Sequence, residues 1–293
     1  MKKIKITALI LCAAMLLSSF SLSAFAEDEK LFYLVLGDSI GYGSGLSNSR
    51  EACYGKIVAD TNGYDYANDA IPGHTTKNLL SRLENESVRS HVKQADIISI
   101  SIGGNNFLLG NLPRLLYDII VKGDSAKAEE TVKIFLEDLD KIVDIIRGLN
   151  PDAVILLQTL YNPQTGYIGE AYQTAIDLLN GAILKYQSEN KGSVEVVDVA
   201  ARLTDSDRDF AQDGIHPSVA GNEKIAVAVL EKLAELGLGE STDPVINTKG
   251  ADINIPQSFT APLKFFGEML HILSVIRGFF TSVFDFTALP VKG

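Results

Sequence analysis

The stretch LFYLVLGDSIGYGSG, residues 31–45, runs apolar and aromatic from Leu31 to Leu36 and then breaks into Gly37-Asp38-Ser39-Ile40 and a set of glycines. Its first half reads as a short buried strand, because an unbroken apolar run needs both faces covered. Its second half reads as the turn at that strand's carboxyl end. Working outward, Asp96–Ile102, Ala153–Thr159 and Val194–Val199 have the same texture, and Tyr64–Asn68 is a weaker version of it. Helical periodicity lies between them, over Ala52–Asp60, Thr75–Arg89, Ala126–Leu149, Glu170–Glu189 and Val219–Leu236. Strand alternating with helix predicts an α/β fold, a three-layer α/β/α sandwich around a parallel five-stranded sheet with right-handed crossovers. Five strands fit a flavodoxin-like order, although periodicity alone does not fix the order.

The ends of the chain have a different texture. Lys2, Lys3 and Lys5 lead into an apolar run from Ile6 to Leu17, followed by Ala24-Phe25-Ala26 and then acidic residues. This reads as a signal peptide over residues 1–26, cleaved after Ala26, and predicts a secreted, extracellular protein. Leu11 before Cys12 lacks the small side chain that lipoprotein processing needs, and loss of the leader leaves Cys53 unpaired and without assigned chemistry. The catalytic domain is expected over residues 27–238. Residues 239–257, rich in Ser, Thr, Asp, Asn, Pro and Gly, read as a linker. Residues 258–293 form an amphipathic segment that on a helix puts Phe265, Met269, Ile272, Leu273, Ile276, Phe280 and Val283 on one face, with Gly267, His271, Ser274 and Gly278 opposite. Lys264, Glu268, Arg277 and Asp285 interrupt it too often for a membrane span. The segment either docks on the catalytic domain or a dimer contact, or makes a peripheral contact with lipid or an acyl chain.

Composition narrows the function classes. With 46% apolar and 22% charged residues among 293, the chain can bury a substantial core. A net charge of −11 and no Lys/Arg block beyond residue 5 argue against nucleic acid as a partner. Two cysteines and four scattered histidines predict no metal site.

In an open parallel sheet, ligands sit at the carboxyl ends of the strands. Four blocks there carry chemistry: Gly37-Asp38-Ser39-Ile40, Ile71-Pro72-Gly73-His74, Gly103-Gly104-Asn105-Asn106, and Asp213-Gly214-Ile215-His216-Pro217 before the last helix. A serine hydroxyl needs a base, and an imidazole serves best when a carboxylate fixes its tautomer. Ser39, His216 and Asp213 supply these catalytic parts. The oxyanion that forms needs fixed donors, for which the Ser39 amide, the Gly73 amide and the Asn105 side chain are the candidates. The glycines from Gly41 to Gly45 match neither the phosphate-loop nor the dinucleotide template and read as a flexible wall of the crevice. His74 reads as a rim residue and His91 as a solvated one.

These four blocks in this order resemble the SGNH hydrolases, also called GDSL esterases and lipases, over about residues 31–236. The resemblance implies a flavodoxin-like hydrolase with Ser39 as nucleophile, Gly73 and Asn105 completing the oxyanion hole, His216 as base and Asp213 orienting it, and it implies no metal or organic cofactor. Ile40 stands where the family motif has Leu, and Asn106 where the family usually has Asp, which touches only a supporting hydrogen bond. The expectation is a serine carboxylic-ester hydrolase acting through an acyl-enzyme on small-molecule, lipid or glycan esters. The alternatives are an O-acetyl polysaccharide esterase within the class and a non-catalytic surface-binding protein outside it.

Overall fold

β1 (Phe32–Gly37), β2 (Asp65–Asn68), β3 (Ile97–Ser101), β4 (Val154–Gln158) and β5 (Glu195–Val197) form one sheet in the order β2-β1-β3-β4-β5, with every pair parallel. The computed structural model describes residues 30–246 and 260–284. The expected leader and residues 247–257 of the expected linker lie outside them.

The two-residue period of a strand sends alternate side chains to opposite faces. Leu34, Leu36, Ile98 and Ile100 enter one core with α4 (Thr76–Arg82), α5 (Glu86–Gln94), α8 (Ala126–Leu149) and α9 (Gly166–Glu189). The alternate residues Val35 and Ser99 face α3 (Tyr54–Asn62), where a methyl on Gly55 would collide with Val35 and the Tyr54 hydroxyl lies 3.2 Å from Ser99 Oγ. α3 in turn packs on α10 (Val219–Glu235). The sandwich is therefore three layers, as the alternation of runs predicts.

β1 pairs with β2 on one side and β3 on the other, so Val35 stands opposite both Asn68 and Ser99. The chain winds in opposite directions from these two edges of β1, which opens a crevice at their carboxyl ends. Two short helices that periodicity does not reveal start in that crevice: α1 (Ser39–Tyr42) and α6 (Gly104–Leu108). α2 (Ser49–Ala52) and α7 (Leu112–Tyr117) are likewise new, and α7 runs into a π-helical turn over Asp118–Lys122.

The expected helix over Thr75–Arg89 is two. Asn85 accepts from the amides of Ser87 at 3.0 Å and Val88 at 3.4 Å, so its side chain caps α5 and breaks the periodic run. α9 begins at Gly166, ahead of the expected Glu170.

The C-terminal segment is helical over Thr260–Phe284, α11, and docks on the catalytic domain through a face other than the apolar stripe. Leu270 is buried and Leu263 and Phe266 are partly buried against Leu116, Ile168 and Ala171, while Phe265, Met269, Ile272, Leu273 and Ile276 are exposed, Phe265 at 73%. The small and polar residues explain the choice. A Cβ on Gly267 would lie 2.4 Å from Ile168 Cγ1, so only glycine lets the two backbones approach here. His271 stacks on Tyr167 with ring centroids 3.6 Å apart.

Candidate active site

Ser39 follows β1 directly and is the first residue of α1, whose amino end is capped by Asp38: Oδ1 accepts from the Ile40 amide at 3.0 Å. The Ser101 hydroxyl at the end of β3 donates to the same carboxylate at 3.3 Å and accepts from the Gly41 amide at 3.0 Å. Asp38 is thus stitched between the two strands that flank the switch point. Burial pushes its pKa up to about 6, although the Ile40 amide, the Ser101 hydroxyl and the nearby His216 favour the charged form.

Asp213 and His216 lie on one tight turn. Asp213 Oδ2 is 2.6 Å from His216 Nδ1, and Oδ1 accepts from the amides of Ile215 and His216, both at 3.0 Å. Burial works to raise the Asp213 pKa, but these hydrogen bonds outweigh it and hold the group below the usual carboxylate value. The carboxylate stays ionised and fixes both the ring's orientation and, with Nδ1 as donor, a free Nε2.

Several residues that carry no sequence motif hold this turn. The Tyr161 hydroxyl donates to the Ile215 carbonyl at 3.0 Å, and Gln164 Nε2 donates to the Gly214 carbonyl at 3.3 Å. Burial, reinforced by the carboxylates of Asp38 and Asp213, raises the Tyr161 pKa far above its ordinary value and keeps it a neutral donor. On the other side, Gly45 has φ of +99°, and a Cβ there would lie 2.9 Å from His216 Cβ. The glycine stretch expected to be a flexible wall is instead packed beneath the histidine. Nothing local in the sequence distinguishes Tyr161 or Gln164; the only available signal is their place just after β4, at the same sheet edge.

The two remaining blocks meet each other. Asn105 Nδ2 donates to the His74 carbonyl at 2.9 Å, which occupies one of its two amide hydrogens and leaves the other for a ligand. Asn106 Oδ1 accepts from the Thr76 amide at 3.1 Å, while its Nδ2 donates to Thr76 Oγ1 at 2.8 Å, and Thr76 donates on to Asp138 at 2.8 Å. These bonds pin the loop carrying Gly73 against α6. Gly73 is exposed, with φ of +82° and open space where a side chain would stand. His74 is partly exposed, as expected of a rim residue, and burial with Arg82 nearby lowers its pKa. His91, expected to be solvated, instead lies with Nδ1 2.7 Å from Asp69 Oδ2, an acceptor that Arg82 shares. Cys53 is fully buried and makes no disulfide.

Ser39 and Asn105 both line a cavity that is open to solvent and runs between α7 and α9. Beyond those two residues its walls are mostly apolar, with Phe107, Leu112, Leu116, Ala171 and Ile176 among them. The arrangement offers a hydroxyl and amide donors at one polar end and an apolar recess beside it.

Comparison with known proteins gives a consistent result. The model of a family described as GDSL-like lipase/acylhydrolase matches residues 35–224. An uncharacterized protein of Bacillus subtilis (strain 168), YpmR, is 24% identical over 225 residues, 72% of this chain and 84% of the relative. Among solved structures, a lipase from a goat rumen metagenome is similar with a TM-score of 0.58 and 23% identity, covering 72% of this chain and 99% of its own. An extracellular lipase from Streptomyces rimosus follows at 0.54 and 20%, covering 69% and 99%. A family 3 carbohydrate esterase from Clostridium thermocellum is similar at 0.51 and 17%, covering 72% and 100%.

Proposed function

Because the chain belongs to the GDSL-like lipase/acylhydrolase family, the SGNH hydrolases, we propose that it is a secreted serine carboxylic-ester hydrolase working through an acyl-enzyme. In this reading Ser39 Oγ attacks the ester carbonyl carbon while His216 Nε2 takes the hydroxyl proton. The carbonyl π electrons move onto oxygen, where the Ser39 and Gly73 amides and the Asn105 side chain receive the charge. Collapse of that intermediate expels the alcohol, which takes the proton from His216. Water, deprotonated by the same ring, then attacks the acyl-Ser39 ester, and collapse releases the acid as Ser39 Oγ takes the proton back from His216. Asp213 steadies the imidazolium formed in both halves.

The observation that carries the reading is the Asp213–His216 pair at 2.6 Å, set at the sheet edge where Ser39 and Asn105 open into one cavity. An apolar recess suits the acyl part of an ester, since such a group gains by leaving water. Peripheral contact with lipid through the exposed face of α11 belongs to the same reading.

Labelling with a serine-directed fluorophosphonate tests it. One label per chain at Ser39, absent from Ser39→Ala together with all ester turnover while the fold is kept, is the expected result. Absence of labelling in the wild type would support a binding protein on this scaffold, and wild-type turnover by Ser39→Ala would exclude the proposed nucleophile.

A further inference from the structure

The wall of the cavity between α7 and α9 has two sides. Leu112, Leu116, Ala171 and Tyr172 line the cavity, and the same four residues belong to a second apolar cluster that Leu263, Phe266 and Leu270 of α11 complete from behind. The wall is thus one side chain thick between the proposed acyl recess and the C-terminal helix. Behind the wall, α7 runs on into the π-helical turn, a wide and rare conformation, and Val121 of that turn belongs to the same cluster. Arg277 of α11 donates from Nη1 to the carbonyl of Val121 in that turn at 2.6 Å. Gly267 sets α11 tight against Ile168 at the start of α9, and His271 stacks on Tyr167 beside it. One helix therefore grips both halves of the wall, α7 with its π turn and the first turns of α9. It lies outside residues 35–224, which the family model spans.

We propose that α11 is a positioning element for the acyl-binding cavity, clamping the wall so that the recess beyond Ser39 accepts a long fatty acyl chain. The proposal rests on the ester-hydrolase reading and adds the substrate class and the part that sets it. A short acyl group reacts at the polar end, where Ser39 on α1 and Asn105 on α6 follow the ends of β1 and β3, and it makes no use of the wall that α11 backs. A long chain needs every part of that wall in place. Loosening the clamp should then separate the two kinds of substrate.

The test compares the full mature chain with Leu270→Asp and Gly267→Ala, using p-nitrophenyl butyrate and p-nitrophenyl decanoate, both kept monomeric in solution. The expected result is a fall of about tenfold or more in kcat/KM for decanoate, mostly through KM, with butyrate turnover and fluorophosphonate labelling unchanged. Leu270→Met, which refills the same space, should restore decanoate turnover. Ile272→Ser, on the exposed face, should leave both substrates untouched. If Leu270→Asp fails to fold, the milder Gly267→Ala reads the same ratio. Equal loss on both esters, no loss on either, or the same loss from Ile272→Ser would overturn the positioning role. A protein that hydrolyses no ester in a Ser39-dependent way would remove the hydrolase reading and the proposal with it.

Discussion

Asp38 is a buried carboxyl in the tightest part of the site, and its raised pKa has a consequence for stability. With a folded pKa of about 6 against an ordinary carboxylate value near 3.9, the folded state holds the proton more firmly than the unfolded one between those limits. Stability contributed by the protonated form is complete below about pH 4, falls as pH rises through the window, and stays reduced above it, by about 3 kcal/mol for a shift of roughly two units. Asp38→Asn does not titrate and its Oδ1 can still accept from Ile40. Its melting temperature relative to wild type should therefore climb from pH 4 to pH 6 and level off beyond; a difference flat with pH would show that Asp38 is not perturbed. Keeping a carboxylate there at such a cost fits a group held beside His216 for its charge. Asn105 gives a second residue-scale prediction: Asn105→Ala should lower kcat by about 10²–10³ if the side chain stabilises the oxyanion, and an unchanged kcat in ester assays would remove it from that role. The candidates Ser39, Asn105, Asp213 and His216 can be picked out in the sequence because each follows a strand or precedes a helix. Tyr161, Gln164 and Thr76 are not, because they act through hydrogen bonds between loops far apart in the chain, and His91 misleads because its partner Asp69 is on another element.

At the scale of elements, four of the five strands and the long helices α8 and α10 follow from their apolar runs and period, since each buries the residues so aligned, whereas β2 gives only a weak run because none of its four residues is fully buried. What period misses is decided by single side chains. The apolar pattern runs on through residues 83–85, yet the Asn85 cap ends one helix axis and starts another. Asn85→Ala should cost about 1 kcal/mol, read as a lower denaturation midpoint with an unchanged m-value, and should leave ester turnover intact because α5 touches no part of the cavity. Loss of activity in step with stability would contradict that separation. α1 and α6 are invisible to periodicity for a related reason: at four and five residues they are too short to show a face, and they exist because Asp38 and a left-handed Gly103 start them at the strand ends. Gly103 has φ of +119°, and a Cβ there would press on Phe135 at 2.9 Å.

For the molecule as a whole, the sequence gives the apolar stripe of α11 correctly but not which way it turns. Amphipathicity predicts a contact for the stripe, with the domain, a dimer partner or lipid, and close approach at Gly267, the His271 stack and the Arg277 bond dock the flank instead and leave Phe265, Met269, Ile272, Leu273 and Ile276 outward. Seven of the eleven large apolar side chains exposed among the described residues are on this one helix, a concentration that marks a contact surface and not scattered surface hydrophobes. Its occupant is constrained by charge. Cleavage at the proposed site after Ala26 would remove three lysines and leave 23 basic residues against 37 acidic ones, a net charge of −14, which disfavours an anionic lipid surface and leaves a neutral zwitterionic one. The mature protein should therefore float with phosphatidylcholine vesicles, less with vesicles rich in phosphatidylserine, and the difference should shrink as salt screens the repulsion. Phe265→Ser with Ile276→Ser should abolish flotation while leaving hydrolysis of monomeric butyrate ester unchanged, because neither residue lines the cavity or its second wall. A stable dimer in sedimentation that the same pair of substitutions dissolves, with no flotation of the wild type, would assign the stripe to a second copy of the chain instead. Binding to lipid by the outward face and bracing of the acyl cavity by the inward one would place both tasks on a single helix, and the two sets of variants separate them: Leu270→Asp acts on chain-length preference, Phe265→Ser with Ile276→Ser on the surface.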